Sequence, residues 1–211
     1  MSSDSIQQAI IMGNVASIST DVNQLLNEGV NSQNILDEQL LPGMAIVGDR
    51  FKRNEMFLPQ VLMSAQAMQT AIDILKPHLA GNSEARQRQT VIIGTVKGDM
   101  HDIGKNLVRI MLIGAGFEVI DLGVNVPTQR FLEATTQHQA AVVCLSALLS
   151  STMNNMKDVV ATFRNHSDLK DTKILIGGAP VSHEFSQNIG ADGYAPTAPA
   201  AVERVQQLCG Q

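Results

Sequence analysis

The rhythm of apolar residues after Thr90 constrains the fold more than any other feature of the sequence. Five short apolar runs occur there, VIIGTV, EVIDLG, AAVVCLSAL, KILIGG and a weak ADGYA. Helix-like segments follow them, beginning near Lys105, Thr128, Thr152, Ser182 and Pro199. Strands that alternate with helices build a parallel sheet with helices on both faces. Residues 90–211 are therefore predicted to form a five-stranded α/β domain of flavodoxin-like or Rossmann-like type.

Right-handed crossovers leave few ways to order these strands, and with five of them the order 2-1-3-4-5 is favoured. The strand order then reverses between strands 1 and 3. Ligands of such sheets bind beyond the carboxyl ends of the strands at that point. The loops after strands 1 and 3 are therefore the first places to search for a site.

The first part of the chain, residues 1–80, has a different period. Apolar residues recur at spacings of three and four, as at Val22, Leu25 and Leu26, which predicts about four helices in a small bundle, with Pro42 kinking or interrupting the third. The polar segment 81–89 is predicted to be a linker. Four of the ten methionines fall in the last two helices, where they are either adaptable core filling or part of a site: Met44, Met56, Met63 and Met68.

The composition excludes several classes of partner. A net charge of -5 without a basic cluster gives no surface for nucleic acid or for an anionic membrane. No apolar run approaches the length of a membrane-spanning helix, and the first residues lack the pattern of a signal peptide, which predicts a cytoplasmic protein. Cys144 and Cys209 are too few for a disulfide framework and are expected to be reduced thiols.

The stretch VKGDMHDIGKNLV, directly after the first strand, carries the residues of greatest chemical interest. Asp99 and His101 can meet in an extended loop, where a carboxylate that accepts the proton of one ring nitrogen leaves the other nitrogen for a metal or a proton. Gly98 and Gly104 bracket the pair and permit close approach by a bulky ligand. The alternative is a loop histidine that caps the next helix, with Asp102 as a second cap.

The loops after strands 3 and 4 add polar groups and bare backbone. Gly177 and Gly178 end strand 4, although they also suit an ordinary strand-to-helix turn. No second ligand stands at metal-binding distance in sequence from His101, and no glycine-rich phosphate loop is present. The pattern therefore favours a large cofactor with a polar tail over a bare ion or a nucleotide. The hydroxyl residues after strand 3 are Ser146, Ser150, Ser151 and Thr152.

Taken together, these motifs resemble a known family. The sequences DMHDIG from Asp99, SAL from Ser146 and the pair Gly177-Gly178 are similar to the Asp-x-His-x-x-Gly, Ser-x-Leu and Gly-Gly signature of cobalamin-binding domains. The segment GMAIVGDRFKRNEMFLPQVLMSAQAM resembles the cap helices of cobalamin-dependent methionine synthase and of small corrinoid proteins in anaerobic methyltransferase systems. The resemblance covers nearly the whole chain.

The resemblance implies a role for each matching residue. His101 would be the lower axial ligand of cobalt, replacing the cofactor's own dimethylbenzimidazole. Asp99 would orient His101, and Thr152 would complete this catalytic relay. The displaced nucleotide tail would lie in a crevice lined by Gly104, Ser146, Leu148, Gly177 and Gly178, with a further contact from Ser150. Phe51, Leu58 and Val61 would cover the methyl-bearing face as a cap.

The resemblance also implies a function, that of a carrier which binds cobalamin and cycles between Co(I) and methyl-Co(III). A substrate methyltransferase would load the methyl group, a second methyltransferase would pass it to tetrahydrofolate or a thiol, and a reductive activase would rescue oxidised cobalt. The chain has no zinc-thiolate pattern and no room for a substrate-activating barrel, so it is expected to be a methyl carrier and not a complete enzyme. The alternatives are a cobalamin sensor and an interaction domain without a cofactor.

Overall fold

The computed structural model describes residues 4–79 and 88–210. Contacts divide the chain into two compact units, one ending at Arg88 and taking in Ile110–Gly116, the other made of Gln89–Arg109 and the residues from Phe117 onward. The sequence predicted a boundary between residues 80 and 90. It did not predict that Ile110–Gly116 would group with the first unit. Of the predicted linker, residues 81–89, only Arg88 and Gln89 lie within the described residues.

The first unit is helical. Asn14 and Asn31 begin two of its helical segments, and their side chains accept hydrogen bonds from the backbone N–H groups of Ser17 and Gln33. The segments in chain order are α1 (Asp4–Met12), α2 (Val15–Asn27), α3 (Ser32–Asn34), a π-helical stretch (Ile35–Leu40), α4 (Leu41–Lys52) and α5 (Leu58–Leu79). Because α3, the π stretch and α4 follow one another without a break, residues 4–79 form the four helical runs that the periodicity predicts.

The third run contains the predicted irregularity at Pro42. Proline has no N–H to donate and its ring clashes with the preceding turn, so a regular α-helix cannot pass through it unchanged. The chain meets this constraint with the π-helical turn Ile35–Leu40, directly before the first turn of α4. The helix continues to Lys52 and is not broken.

Buried aliphatic side chains from all four runs form the core of the helical unit, among them Ile10, Val22, Leu40, Val47 and Leu75. The methionines divide between two environments. Those at positions 44, 56 and 68 are buried, as adaptable core filling would be, whereas Met63 is half exposed.

From Thr90 onward, strands and helices alternate as predicted. Helices α8 and α9 begin directly after Thr152 and Ser182, the residues at which the sequence predicted them to start. The elements are β1 (Thr90–Thr95), α6 (Ile103–Gly114), β2 (Glu118–Asp121), α7 (Thr128–His138), β3 (Val142–Ser146), α8 (Met153–Asn165), β4 (Lys173–Gly177), α9 (His183–Ile189), β5 (Gly193–Ala195) and α10 (Ala198–Leu208).

The five strands are parallel and lie in the order β2-β1-β3-β4-β5, which confirms the predicted topology. Their apolar side chains form one buried core with those of α7 and α8, and this core includes Ile92, Phe131, Val143, Phe163 and Ile176. Among the described residues, no helix is both long enough and apolar enough to cross a membrane.

Candidate functional site

Three strand ends stand side by side at the point where the strand order reverses. In the sheet register Thr95 of β1 pairs with Ser146 of β3, and Ser146 pairs with Gly177 of β4. The chain leaves the sheet after each of them, so the loops predicted to carry the site start from one edge. Backbone hydrogen bonds from Val96 N–H to the Ser146 carbonyl (3.0 Å) and from Ala147 N–H to the Gly177 carbonyl (3.2 Å) fix these loops to one another.

Asp99 is the centre of the site's hydrogen bonding, and its side chain is fully buried. Its Oδ1 accepts the backbone N–H of His101 (3.1 Å) and lies 2.7 Å from His101 Nδ1. Its Oδ2 accepts the backbone N–H groups of Leu148 (2.8 Å) and Leu149 (3.2 Å) and lies 2.7 Å from the hydroxyl of Thr152. This single carboxylate therefore connects the loop after β1 to the loop after β3.

These contacts determine the charge of Asp99. Burial alone would raise the pKa of its carboxyl group, but the hydrogen bonds from Thr152, His101 and the backbone of Leu148 outweigh burial and hold the pKa well below its usual value. The group is consequently an anion at neutral pH. A carboxylate can only accept hydrogen bonds, so the proton shared with His101 belongs to Nδ1 of the ring.

His101 presents one ring nitrogen for a ligand. Because Nδ1 is engaged by Asp99, Nε2 is the nitrogen that can offer a lone pair. Half of the side chain is exposed, so a ligand has access to it. No cluster of three or more His, Cys, Asp or Glu side chains that could hold a metal ion occurs in the described part of the chain. A metal bound at His101 would therefore have to bring most of its ligands with it, as a metal in a macrocycle does.

A crevice of about 530 Å³ opens beside His101, within the second unit. Its walls are mostly apolar and come from β1, β3, β4, α6 and the start of α10. The predicted residues Gly104, Ser146, Leu148, Gly177 and Gly178 all line it. Other residues along its walls are Ile93, Val108, Cys144, Leu175, Thr197, Ala198 and Ala201. Burial raises the pKa of Cys144 to about 12, so this thiol stays neutral and acts as an apolar wall.

The three glycines of the crevice lack side chains for different reasons. At Gly178 the backbone has φ +129 and a Cβ atom would lie 1.8 Å from the Ala147 carbonyl oxygen, so the fold itself requires glycine. At Gly177 a Cβ atom would lie 3.0 Å from the Ala195 carbonyl oxygen. At Gly104 a Cβ atom would meet nothing within 4 Å. The protein's own packing gives no reason for a glycine at position 104, but close approach by a ligand would.

Of the remaining predicted residues, one lies in the second unit and three lie in the helical unit. Ser150 is exposed and does not line the crevice. The three candidates for the cap belong to the helical unit: Phe51 is half-buried near the end of α4, Leu58 at the start of α5 is 39% exposed, and Val61 is fully buried.

Several residues of the site were not anticipated from the sequence. The buried Lys105, in the first turn of α6, donates from Nζ to both carboxylate oxygens of Asp121 (2.7 and 2.6 Å), which ties α6 to the end of β2. Thr95 and Asn125 hydrogen-bond to the loop that carries His101. The residues of these pairs are too far apart in the sequence to form a motif. The only sequence feature that pointed to them was the run of polar residues after β2, at the sheet edge used by the other loops.

Comparison with known proteins identifies the family. The model of the B12 binding domain matches residues 89–203, and a second B12 binding domain model matches residues 3–76. The chain belongs to the B12-binding proteins. Within this family it is 37% identical to a corrinoid protein of Desulfitobacterium hafniense over 211 residues, 99% of this chain and 97% of that protein.

Two further relatives give the same result. A dimethylamine corrinoid protein of Methanosarcina acetivorans is 38% identical over 174 residues, which cover 82% of this chain and 81% of that protein. The crystal structure of the methanol:cobalamin methyltransferase complex of Methanosarcina barkeri matches with a TM-score of 0.85 at 28% identity, covering 98% of this chain and 79% of that one. The predicted family and the predicted cobalamin cofactor are confirmed.

The site of this B12-binding protein fits its cofactor. Nε2 of His101 could serve as a single nitrogen ligand, and a corrin ring would bring four further nitrogen ligands for its cobalt. The crevice next to His101 is mostly apolar and has no side chain at Gly104, which would suit close approach by a large cofactor.

Gly104→Ala tests whether the missing side chain at position 104 serves the cofactor or the fold. Alanine is the better helix former and meets no atom here, so the free energy of unfolding is expected to stay unchanged or to rise by up to about 1 kcal/mol. Cobalamin affinity is expected to fall at the same time. Thermal unfolding and absorbance titration of the same sample check both effects. Unchanged affinity would mean that the cofactor does not approach this backbone.

Proposed function

We propose that this B12-binding protein carries a methyl group between two partner methyltransferases, with His101 as the lower ligand of cobalt. The buried, ionised Asp99 carries this proposal, because five contacts hold it in place and it fixes Nδ1 of an accessible imidazole. A histidine that only capped a helix would not need a carboxylate built into two loops.

When bound, cobalamin supplies a cobalt centre that accepts a methyl group from one substrate and gives it to another. The protein's residues prepare that centre. Asp99 keeps the proton of His101 on Nδ1 and so keeps the Nε2 lone pair available. Thr152 fixes the carboxylate from the other side; its one hydroxyl proton lies within reach of Asp99 Oδ2 (2.7 Å) and of the Leu149 carbonyl (2.8 Å).

Asp99, His101 and Thr152 could also hold one more proton if Nε2 of His101 were not bound to a metal. Nε2 is then free to take up a proton while Nδ1 keeps its hydrogen bond to Asp99. The hydroxyl of Thr152 can turn between Asp99 and Leu149 as the charge of the pair changes. Ligation by His101 and proton uptake at Nε2 are therefore alternatives, and this links the state of the cofactor to one proton.

We assign the choice of methyl donor to the partner enzymes. A relative named for dimethylamine is similar to this chain in sequence, and a structure named for methanol is similar to it in fold, which supports a common carrier served by different donors. The carrier itself is proposed to have no complete methyltransferase activity. Its partners are a substrate methyltransferase, an acceptor methyltransferase and a reductive activase.

Absorbance titration with methylcobalamin and with adenosylcobalamin tests the proposal. A carrier is expected to bind methylcobalamin with the spectrum of an imidazole-ligated, base-off cofactor. The methyl-loaded protein should then keep its methyl group when mixed with tetrahydrofolate or a thiol alone, and lose it when an acceptor methyltransferase is added. Preference for adenosylcobalamin would indicate a sensor, and binding of neither form would indicate an interaction domain.

The cap formed by Phe51, Leu58 and Val61 stays a prediction. If Leu58 shields the methyl group, Leu58→Ala is expected to speed photolysis of bound methylcobalamin with little loss of stability, because the side chain is 39% exposed. Val22→Ala is the control: this side chain is fully buried in α2 of the same unit and is not a cap candidate, so its truncation should cost about 2 kcal/mol of unfolding free energy and leave photolysis unchanged. Wild-type photolysis in Leu58→Ala would remove this residue from the cap.

A further inference from the structure

The loop between β1 and α6, which carries Asp99 and His101, is held along its backbone by side chains from outside it. The hydroxyl of Thr95 donates to the His101 carbonyl (2.8 Å). Asn125 Oδ1 accepts the N–H of Gly98 (2.8 Å), and Asn155 Nδ2 donates to the Lys97 carbonyl (2.7 Å). The Asp99 to Thr152 relay includes none of these three side chains.

Thr95 is the last residue of β1 and is fully buried. Its hydroxyl fixes the backbone carbonyl of His101, while Asp99 Oδ1 fixes the backbone N–H of the same residue. Both backbone groups of His101 are thus held by buried side chains. The ring then keeps only its own side-chain rotations, and the contact between Nδ1 and Asp99 restricts those.

Asn125 holds the backbone of Asp99 and of Gly98, the residue before it. Its backbone N–H donates to the Asp99 carbonyl (2.9 Å), while its side chain accepts the N–H of Gly98, so it brackets the aspartate from both sides. Asn125 has φ +53, a left-handed conformation that asparagine tolerates better than most residues. A bridge between Val96 and Val126 holds this segment beside the end of β1.

We infer that Thr95 and Asn125 are positioning residues that set the direction of His101 Nε2 before the cofactor binds. The inference rests on the proposed role of His101 as the cobalt ligand. A ligand held in its bound geometry loses less freedom on binding, so these hydrogen bonds favour both cofactor affinity and ligation by His101.

Thr95→Val removes the hydroxyl and keeps the shape, and Thr95→Ser keeps the hydroxyl. Thr135→Val is the matched control, because Thr135 is also buried and also donates to a backbone carbonyl at 2.8 Å, that of Phe131 in α7. Two quantities are measured at one pH: the ring nitrogen chemical shifts of His101 without cofactor, which report the tautomer and the Nδ1 hydrogen bond, and the dissociation constant of methylcobalamin.

Thr95→Val is expected to move the His101 ring shifts and to weaken binding about tenfold, because it leaves a carbonyl unpaired beside the ligand. Thr95→Ser should restore both quantities. Thr135→Val should lose stability while leaving both unchanged. If Thr95→Val matches Thr135→Val in ring shifts and affinity, Thr95 is a structural residue only and the inference is overturned.

A second pair decides the outcome if Thr95→Val does not fold. Asn125→Gly keeps the left-handed backbone and removes the side-chain acceptor, and Asn54→Gly makes the same change at another left-handed asparagine, with φ +60, in the helical unit. Only Asn125→Gly is expected to move the His101 ring shifts, and equal shifts in the two variants would refute the inference. A wild-type protein that binds no cobalamin, yet whose ring shifts respond to Thr95→Val, would refute the proposed function and leave the positioning role intact.

Discussion

Bound methylcobalamin is expected to lose its protein ligand when His101 is replaced by alanine. The absorbance should change from that of an imidazole-ligated cofactor to that of one without a nitrogen ligand, and affinity should fall at least about tenfold. The fold should persist, because half of the His101 side chain is exposed. Visible spectra of the bound cofactor and thermal unfolding of the variant measure the two effects.

His183→Ala is the control for this change. His183 is exposed at the start of α9 in the same unit and does not line the crevice, so its replacement should leave the spectrum unchanged. A wild-type spectrum in His101→Ala would mean that another group binds the cobalt, and the assignment of His101 would be wrong.

Gly178→Ala is expected to have the largest effect on stability. The new Cβ would overlap the Ala147 carbonyl oxygen, at 1.8 Å, and the backbone has φ +129, so the loops after β3 and β4 must move apart. The free energy of unfolding should fall by about 3 kcal/mol or more. Because Ala147 precedes Leu148, whose N–H donates to Asp99, cofactor binding should fall as well.

Gly190→Ala is the control that measures the cost of backbone strain at a glycine where the new Cβ causes no clash. Gly190 ends α9 with φ +75, and a Cβ there would meet nothing within 4 Å, so alanine should cost only about 1 kcal/mol. Denaturant unfolding of the two variants measures the difference. Equal losses would show that the loops at Gly178 can yield to a methyl group.

The sequence predicted the sheet well because burial imposes a pattern on it. The central strands β1, β3 and β4 are buried and apolar along most of their length, and right-handed crossovers then leave one favoured order, which is the order observed. Asp99 and His101 could be found for a related reason. They stand directly after β1, and parallel sheets bind ligands at that edge.

Other parts of the site follow from loop geometry, which leaves no periodic trace. Asn125 reaches Gly98 only because its backbone is left-handed and its segment pairs with Val96. In the sequence, Thr95 looks like any other strand residue. Its hydroxyl reaches the His101 carbonyl only because the loop after β1 folds back toward the end of the strand. Gly104 and Gly178 look alike in the sequence, yet the space around their Cβ positions shows that only Gly178 is required by the fold.

Electron paramagnetic resonance of the bound cofactor in its Co(II) state tests the central claim most directly. The unpaired electron of Co(II) couples to the nitrogen on its axial side, so the splitting identifies the ligand. Protein labelled with nitrogen-15 only in histidine should show each hyperfine line split into a doublet, where unlabelled protein shows a triplet. His101 Nε2 would then be the donor, provided that the doublet is absent from His101→Ala. A triplet from the labelled protein would contradict the claim, because the nitrogen on cobalt would then belong to the cofactor's own base.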